Sequence, residues 1–218
     1  IGQFAPFAVS DLRTVFYYSR YMQNKTKKIL LQAKSILTSF TSNNKRHRGT
    51  GYWGKVSGCK PLVKNAIDCF ARSAKPEGAK NETGASLFIV GFSDSNDWKE
   101  CLELAVIENF YVAIEKGILI VKIDDHVINK ETIGKFWKKK KIQELPNFKD
   151  ANEYYETFRR RKIVRVTQNP ILGKCTLYLR VEEGLGKRVM IVRKNGMVIT
   201  DRLDGLRAFP GCKDFSAV

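Results

Sequence analysis

A strand, a long helix and a second strand follow one another in the middle of the chain, and this order constrains the fold most. Residues 85–92, ASLFIVGF, form a continuous apolar run, which is typical of a strand buried on both faces. Residues 93–117 carry apolar side chains at helical spacing. Residues 118–123, ILIVKI, predict a strand directly after this helix. The side chains predicted to form the buried stripe of the helix are Trp98, Leu102, Ala105, Val106, Phe110, Ala113 and Ile114.

Shorter segments precede this run. Residues 4–10 are compatible with a helix whose first turn holds Pro6. Residues 13–19 are rich in β-branched and aromatic side chains and predict a strand. Residues 27–40 suit either a helix or a β-hairpin, and residues 60–74 suit a helix.

The C-terminal part has the pattern of an antiparallel meander. Residues 175–182 alternate between apolar and polar positions. Residues 187–193 predict a strand, and the chain then turns back through Asn195 and Gly196, a strong hairpin signal. These elements predict an α/β protein of the α+β sandwich kind, with helices on a mixed sheet followed by a βαβ or antiparallel meander domain.

The chain carries a formal net charge of +17. Residues 130–165 hold twelve Lys and Arg against five acidic residues, which indicates a basic insertion or a linker between domains. Such an excess favours polyanionic partners, and the alternative is a solvated face that keeps the segment soluble. The residues expected to bind nucleic acid are Lys138, Lys139, Lys140, Lys141, Arg159, Arg160, Arg161 and Lys162, with Trp137, Tyr154, Tyr155 and Phe158 available for base stacking.

Other functional classes have less support. The five Cys are widely spaced and form no CxxC pair, so neither a disulfide framework nor a zinc ribbon is expected. His47 and His126 lack ligand spacing to a second His or Cys, so no metal site is predicted. Asp124 and Asp125 are either turn acids or ligands of a divalent ion. The chain has no apolar run of about 18 residues and no signal sequence, so we expect a cytoplasmic protein with no membrane partner.

The first residues, IGQFAPFAVSDLRTVFYYSRY, resemble a segment of the GHKL ATPases, the superfamily of gyrase, heat-shock chaperone ATPases, histidine kinases and the MutL and MORC proteins. In that superfamily a second glycine box leads into a short helix, an acidic residue and a strand. Ile1 and Gly2 match the end of the box, Asp11 matches the acid and residues 13–18 match the strand. The resemblance implies that backbone N–H groups around Ile1, Gly2 and Gln3 face the phosphates of ATP.

Two further segments extend the resemblance. TGASLFIVGF resembles the third box, where Gly84 matches the family's Gly and Ala85 stands in place of Thr, near the adenine. CTLYLRVEEGLGKRVMIVRKNGMVI resembles the transducer domain of MutL and MORC relatives, in which a hairpin carries a basic residue toward the γ-phosphate. Lys194 takes that position. The resemblance implies the C-terminal part of an ATP-binding domain in residues 1–92 and a transducer-like domain in residues 93–218.

The resemblance implies an ATP-driven conformational switch in DNA modification, repair or phage defence, with ATP and Mg²⁺ as cofactors and a homodimer formed on ATP binding. The catalytic Glu and Asn, the Asp-x-Gly-x-Gly that binds adenine and the Mg²⁺ ligands belong upstream of Ile1. We therefore expect residues 1–218 alone to bind ATP weakly or not at all and to lack ATPase activity. A non-enzymatic nucleic-acid-binding module is the second hypothesis, and a scaffold without a ligand is the third.

Overall fold

The computed structural model of the chain describes residues 4–63, 83–94, 97–160, 163–202 and 211–218. These residues form an α+β protein with several antiparallel sheets and few helices, which confirms the predicted fold class. The chain divides into two compact units, Ile1–Ser95 and Asn96–Val218.

The first unit is built on an antiparallel sheet. Its helix and strands are α1 (Ala5–Ala8), β1 (Ser10–Gln23), β2 (Thr26–Ile36), β3 (Phe40–Ser42), β4 (Lys45–His47), β5 (Thr50–Trp53), β6 (Leu62–Val63) and β7 (Gly84–Phe92). The main sheet has the order β5-β2-β1-β7, with β6 also paired to β2, and β3 and β4 form a separate hairpin. The prediction of a helix over residues 60–74 is wrong at Leu62–Val63, which form the strand β6. Residues 64–74 lie outside the described residues.

The first two strands form a long hairpin. Its turn residues, Asn24 and Lys25, both have positive φ (48° and 60°), which suits a tight two-residue turn. Residues 27–40, for which a helix and a hairpin were both open, therefore lie mainly in a strand. Leu31 and Ala33 alternate onto one face of β2 and are 0% and 2% exposed, which is the two-residue period of a strand.

The prediction that β7 is buried on both faces is wrong for the described residues. β7 pairs with β1 and lies at the end of the sheet that the described strands form. Phe88 packs beside Tyr18 and Leu31, whereas the neighbouring Leu87 is 51% exposed. A continuous apolar run cannot show that only one face of its strand is covered.

The second unit packs helices against short strands. Its elements are α2 (Trp98–Glu115), β8 (Val121–Ile123), β9 (His126–Ile128), α3 (Ile133–Phe136), α4 (Lys140–Gln143), α5 (Phe148–Arg159), β10 (Ile163–Asn169), β11 (Gly173–Val181), β12 (Arg188–Val189), β13 (Ile191–Val192), β14 (Val198–Thr200) and β15 (Phe215–Ala217). One sheet has the order β10-β11-β15-β12, with β12 and β15 parallel. β8 pairs with β9, and β13 pairs with β14 through the predicted turn at Asn195 and Gly196, which is thus confirmed.

The predicted stripe of helix α2 is confirmed only in part: Ala113 and Ile114 are buried, but the core also contains side chains outside the stripe. Leu104, Ile107 and Tyr111 are at most 6% exposed, whereas Leu102 of the predicted stripe is 43% exposed. Apolar side chains occur almost all round this helix. Their periodicity therefore indicates a helix but does not decide which side faces the core.

The basic segment, residues 130–165, contributes many of the core side chains of the second unit. It contains α3, α4 and α5. Trp137, Tyr154, Tyr155 and Phe158 are between 1% and 6% exposed, and the rings of Trp137 and Tyr155 stack on each other with centroids 4.7 Å apart. The prediction that these four rings are available to bases is therefore wrong, because their apolar area is buried in the core.

Candidate nucleotide and nucleic-acid sites

The predicted phosphate site is described only from Phe4 onward, because residues 1–3 lie outside the described residues. Helix α1 follows them and is four residues long. The ammonium of Lys34 on β2 lies 5.9 Å from the ring centre of Phe4 and 5.8 Å from that of Phe7. Arg13 donates from Nη1 to the carbonyl of Phe7 at 2.9 Å. These contacts hold α1 on the sheet.

Gly84 opens β7 beside Arg20 of β1, and the next residue, Ala85, is exposed. No atom of a described residue lies within 4 Å of the position that a Cβ on Gly84 would take. Lys34, which contacts α1, pairs with Val15, and Val15 is five positions from Arg20, or about 17 Å along the strand. Helix α1 and Gly84 therefore lie at different positions along one sheet.

Lys194, the predicted γ-phosphate sensor, is exposed in the turn between β13 and β14. The N–H of Gly196 donates to the carbonyl of Arg193 at 2.8 Å, and the N–H of Arg193 donates to the carbonyl of Met197 at 2.8 Å. Gly196 is buried against Ala113 of α2. The turn that carries Lys194 thus packs directly on helix α2.

The four lysines predicted to bind nucleic acid have two different environments. Lys139 and Lys141 form ion pairs with acidic residues of α2. Lys138 and Lys140 are exposed and form no ion pair with any described residue. The 2.9 Å hydrogen bond from Lys141 lowers the pKa of the Glu100 carboxyl and raises the pKa of the ammonium. Half of this run is therefore engaged within the fold.

A buried carboxylate that the sequence patterns did not single out receives Lys139. Glu103 is 1% exposed, and Lys139 donates to its two oxygens at 2.9 and 2.8 Å. Nδ1 of His126 contacts the same carboxylate, so α2, β9 and the start of α4 meet there. The only signal in the sequence is an acidic residue between Leu102 and Leu104 in an apolar helix. Such a carboxylate is costly to bury without partners, so the cluster fixes the fold locally.

The second basic run is also partly engaged within the fold. Nε of Arg159 lies 3.7 Å from Oε1 of Glu115. Arg160 forms an ion pair with Glu156, one helical turn earlier. The remaining two positions of the run, residues 161–162, lie outside the described residues.

Asp124 and Asp125 lie in the turn between β8 and β9, and Asp124 forms an ion pair with Lys99 of α2. Among the residues that the structure describes, no group of three or more His, Cys, Asp or Glu side chains is arranged to hold a metal ion. In the same part of the chain, no helix combines the length and apolar character needed to cross a membrane.

In comparisons with known proteins, no family model matches the chain, and no curated protein and no solved structure matches it. The likeness to the GHKL ATPases therefore consists of the short motifs around Gly2, Gly84 and Lys194.

Proposed function

We propose that the chain is part of an ATP-binding conformational switch of the GHKL type. One observation carries the proposal: helix α1 packs on the sheet in which β1 and β7, the strand that starts at Gly84, are neighbours. β7 pairs directly with β1, the strand that follows Asp11. This is the arrangement in which a second and a third glycine box would flank one ligand.

In this proposal, backbone N–H groups of residues 1–3 bind the phosphates, since such groups at a helix start are free to donate. Gly84 and Ala85 line the adenine end. The separation of about 17 Å along β1 suits a ligand with a base at one end and phosphates at the other. The resemblance assigns the γ-phosphate to Lys194, and Mg²⁺ would neutralise phosphate charge. Closure of the site favours a homodimer that acts on DNA.

We expect Gly84→Val to abolish ATP binding by the full-length protein while its stability stays unchanged. A Cβ at this position meets no atom of the described part of the fold, so the new side chain enters the space proposed for adenine. Gly51→Val is the matched control in the same sheet, where a Cβ would contact only Ser35, at 3.9 Å. Calorimetric titration with a non-hydrolysable ATP analogue measures binding, and thermal unfolding measures stability. Equal binding by the two variants contradicts the adenine site.

We expect Lys194→Gln to retain ATP binding and to lower the turnover number of the full-length protein about a hundredfold, because the lost ammonium would act mainly in the transition state. Lys116→Gln, another exposed lysine of the second unit, is the control. Steady-state hydrolysis and analogue binding are measured on both variants. Unchanged turnover in Lys194→Gln removes this residue from the site.

A second candidate function is nucleic-acid binding without catalysis, and the exposed cations of the second unit favour it. Lys138, Lys140, Arg165 and Lys174 are exposed and form no ion pair with a described residue. With a net charge of +17, they provide an attractive field for phosphates. The two functions are compatible in one protein. Binding of DNA by the chain in the absence of ATP distinguishes the second from the first.

A further inference from the structure

The hairpin of β10 and β11 in the second unit extends beyond the part that is packed on the core. β10 and β11 pair over seven residue pairs and are joined by the turn at residues 170–172. At the base, the ring of Tyr178 packs edge-on against Phe158 with centroids 5.0 Å apart. Among the described strands, β15 pairs with β11 only at residues 179–181. Residues 165–169 and 173–177 therefore form a two-stranded ribbon about 17 Å long whose base is fixed in the core.

The tip of this ribbon holds two apolar side chains in solvent. Ile171 is 92% exposed and Leu172 is 75% exposed. Oδ1 of Asn169 accepts hydrogen bonds from the N–H groups of Ile171 at 2.8 Å and Leu172 at 2.9 Å, and Pro170 has a restricted φ. Gly173 supplies the positive φ (73°) that ends the turn. The tip is thus internally braced, and its apolar area is buried only if a partner covers it.

The ribbon carries positive charge and no negative charge. Residues 163–181 contain three Lys and Arg and no acidic residue. Arg180 is paired with Glu182 at 3.1 Å. Arg165 and Lys174 are exposed, form no ion pair with a described residue and lie on opposite strands, three register positions or about 10 Å apart. Because side chains alternate between the two faces of a strand, this offset of three positions places the two cations on opposite faces of the ribbon, where each can contact one of the two phosphate backbones that border a groove.

We propose that the β10–β11 ribbon binds double-stranded DNA, with Arg165 and Lys174 on phosphates and Ile171 and Leu172 inserted between base pairs. The inference rests on the second candidate function and names its contact surface. A β-ribbon can enter the minor groove of DNA, and Ile, Leu and Pro are among the side chains that minor-groove proteins insert between base steps to bend the duplex. Burial of the apolar tip offsets part of the cost of unstacking.

The layout of the charges favours DNA over an anionic lipid surface. A tip that inserts into lipid has its cations at one depth, level with the headgroups. Here the two unpaired cations lie at different depths along the ribbon. Exposed Thr167, Gln168 and Thr176 lie between or beside them and offer hydrogen-bonding groups on both strands. This arrangement suits phosphates and sugars that follow a groove.

Binding of a short fluorescent DNA duplex to the chain, followed by anisotropy at several salt concentrations, tests the inference. We expect Arg165→Gln with Lys174→Gln to weaken binding and to reduce the slope of log K against log salt by about 2, because each phosphate contact contributes about 0.9. We expect Ile171→Ser with Leu172→Ser to weaken binding about tenfold, to keep the slope and to abolish bending measured by energy transfer between the duplex ends. Lys116→Gln is expected to match the wild type.

The outcomes separate the inference from the function on which it rests. All four side chains are exposed, so the variants are expected to unfold at the wild-type temperature. Failure of the wild type to bind DNA at low salt overturns both the second candidate function and the ribbon. Binding that persists in both ribbon variants and falls in Lys138→Gln with Lys140→Gln overturns the ribbon alone. Tip-dependent binding to phosphatidylglycerol–phosphatidylcholine vesicles, together with tip-independent DNA binding, assigns the tip to lipid and also overturns the inference.

Discussion

Replacement of Lys139 by Met is expected to lower the free energy of unfolding by about 2–3 kcal/mol, whereas replacement of Lys138 by Met is expected to change it by less than about 0.5 kcal/mol. The reason lies in the partner: Lys139 donates to both oxygens of Glu103, which is 1% exposed. Met retains most of the apolar stem but leaves the buried carboxylate with His126 alone. The expected loss is below that of a fully buried pair because the side chain of Lys139 is 33% exposed.

Urea unfolding of the two variants measures this difference, and each serves as the other's control, since the residues are adjacent lysines. A double variant, Glu103→Leu with Lys139→Met, sharpens the test. Because an apolar pair often replaces a buried ion pair without loss, the double variant is expected to recover most of the stability lost in Lys139→Met. Equal stabilities of Lys138→Met and Lys139→Met would show that the Glu103 cluster does not stabilise the fold.

Lys138 and Lys139 show what the sequence could predict about the candidate site. The run of lysines at residues 138–141 is visible in the sequence as positive charge, and two of the four form no ion pair with a described residue. The partner of Lys139 lies 36 residues earlier in the chain, so no local pattern connects them. A charge run therefore predicts an electrostatic field, but its division between ion pairs and free cations depends on tertiary contacts.

Local patterns predicted the elements with strong short-range signals. Helix α2 and the turn at Asn195 and Gly196 are determined by spacing and by turn chemistry within a few residues. The buried face of α2 and the exposure of Leu87 on β7 depend on what packs against them. Ile171 at the tip of the β10–β11 hairpin is exposed, whereas an apolar residue in a sequence ordinarily predicts burial.

Gly196→Ala is expected to lower the free energy of unfolding by about 3–4 kcal/mol, through two effects that add. Gly196 has a φ of 86°, a conformation that an L residue adopts only with strain. A Cβ there would lie 2.6 Å from Cα of Ala113 and closer still to its amide nitrogen, and Ala113 is itself 2% exposed on α2. Helix backbone cannot give way as a flexible side chain can, so the turn between β13 and β14 has to move off the helix.

Gly117→Ala separates the two effects. Gly117 also has a positive φ, 70°, but among the residues that the structure describes no atom lies within 4 Å of the position of its Cβ. Its replacement therefore introduces backbone strain alone, and we expect a loss of about 1–2 kcal/mol. Guanidinium unfolding of both variants gives the difference, which measures how firmly the turn packs on α2. If the two losses are equal, the turn is not held against Ala113 in solution. The helix then does not fix the position of Lys194, and the proposed contact of Lys194 with the γ-phosphate loses its structural basis.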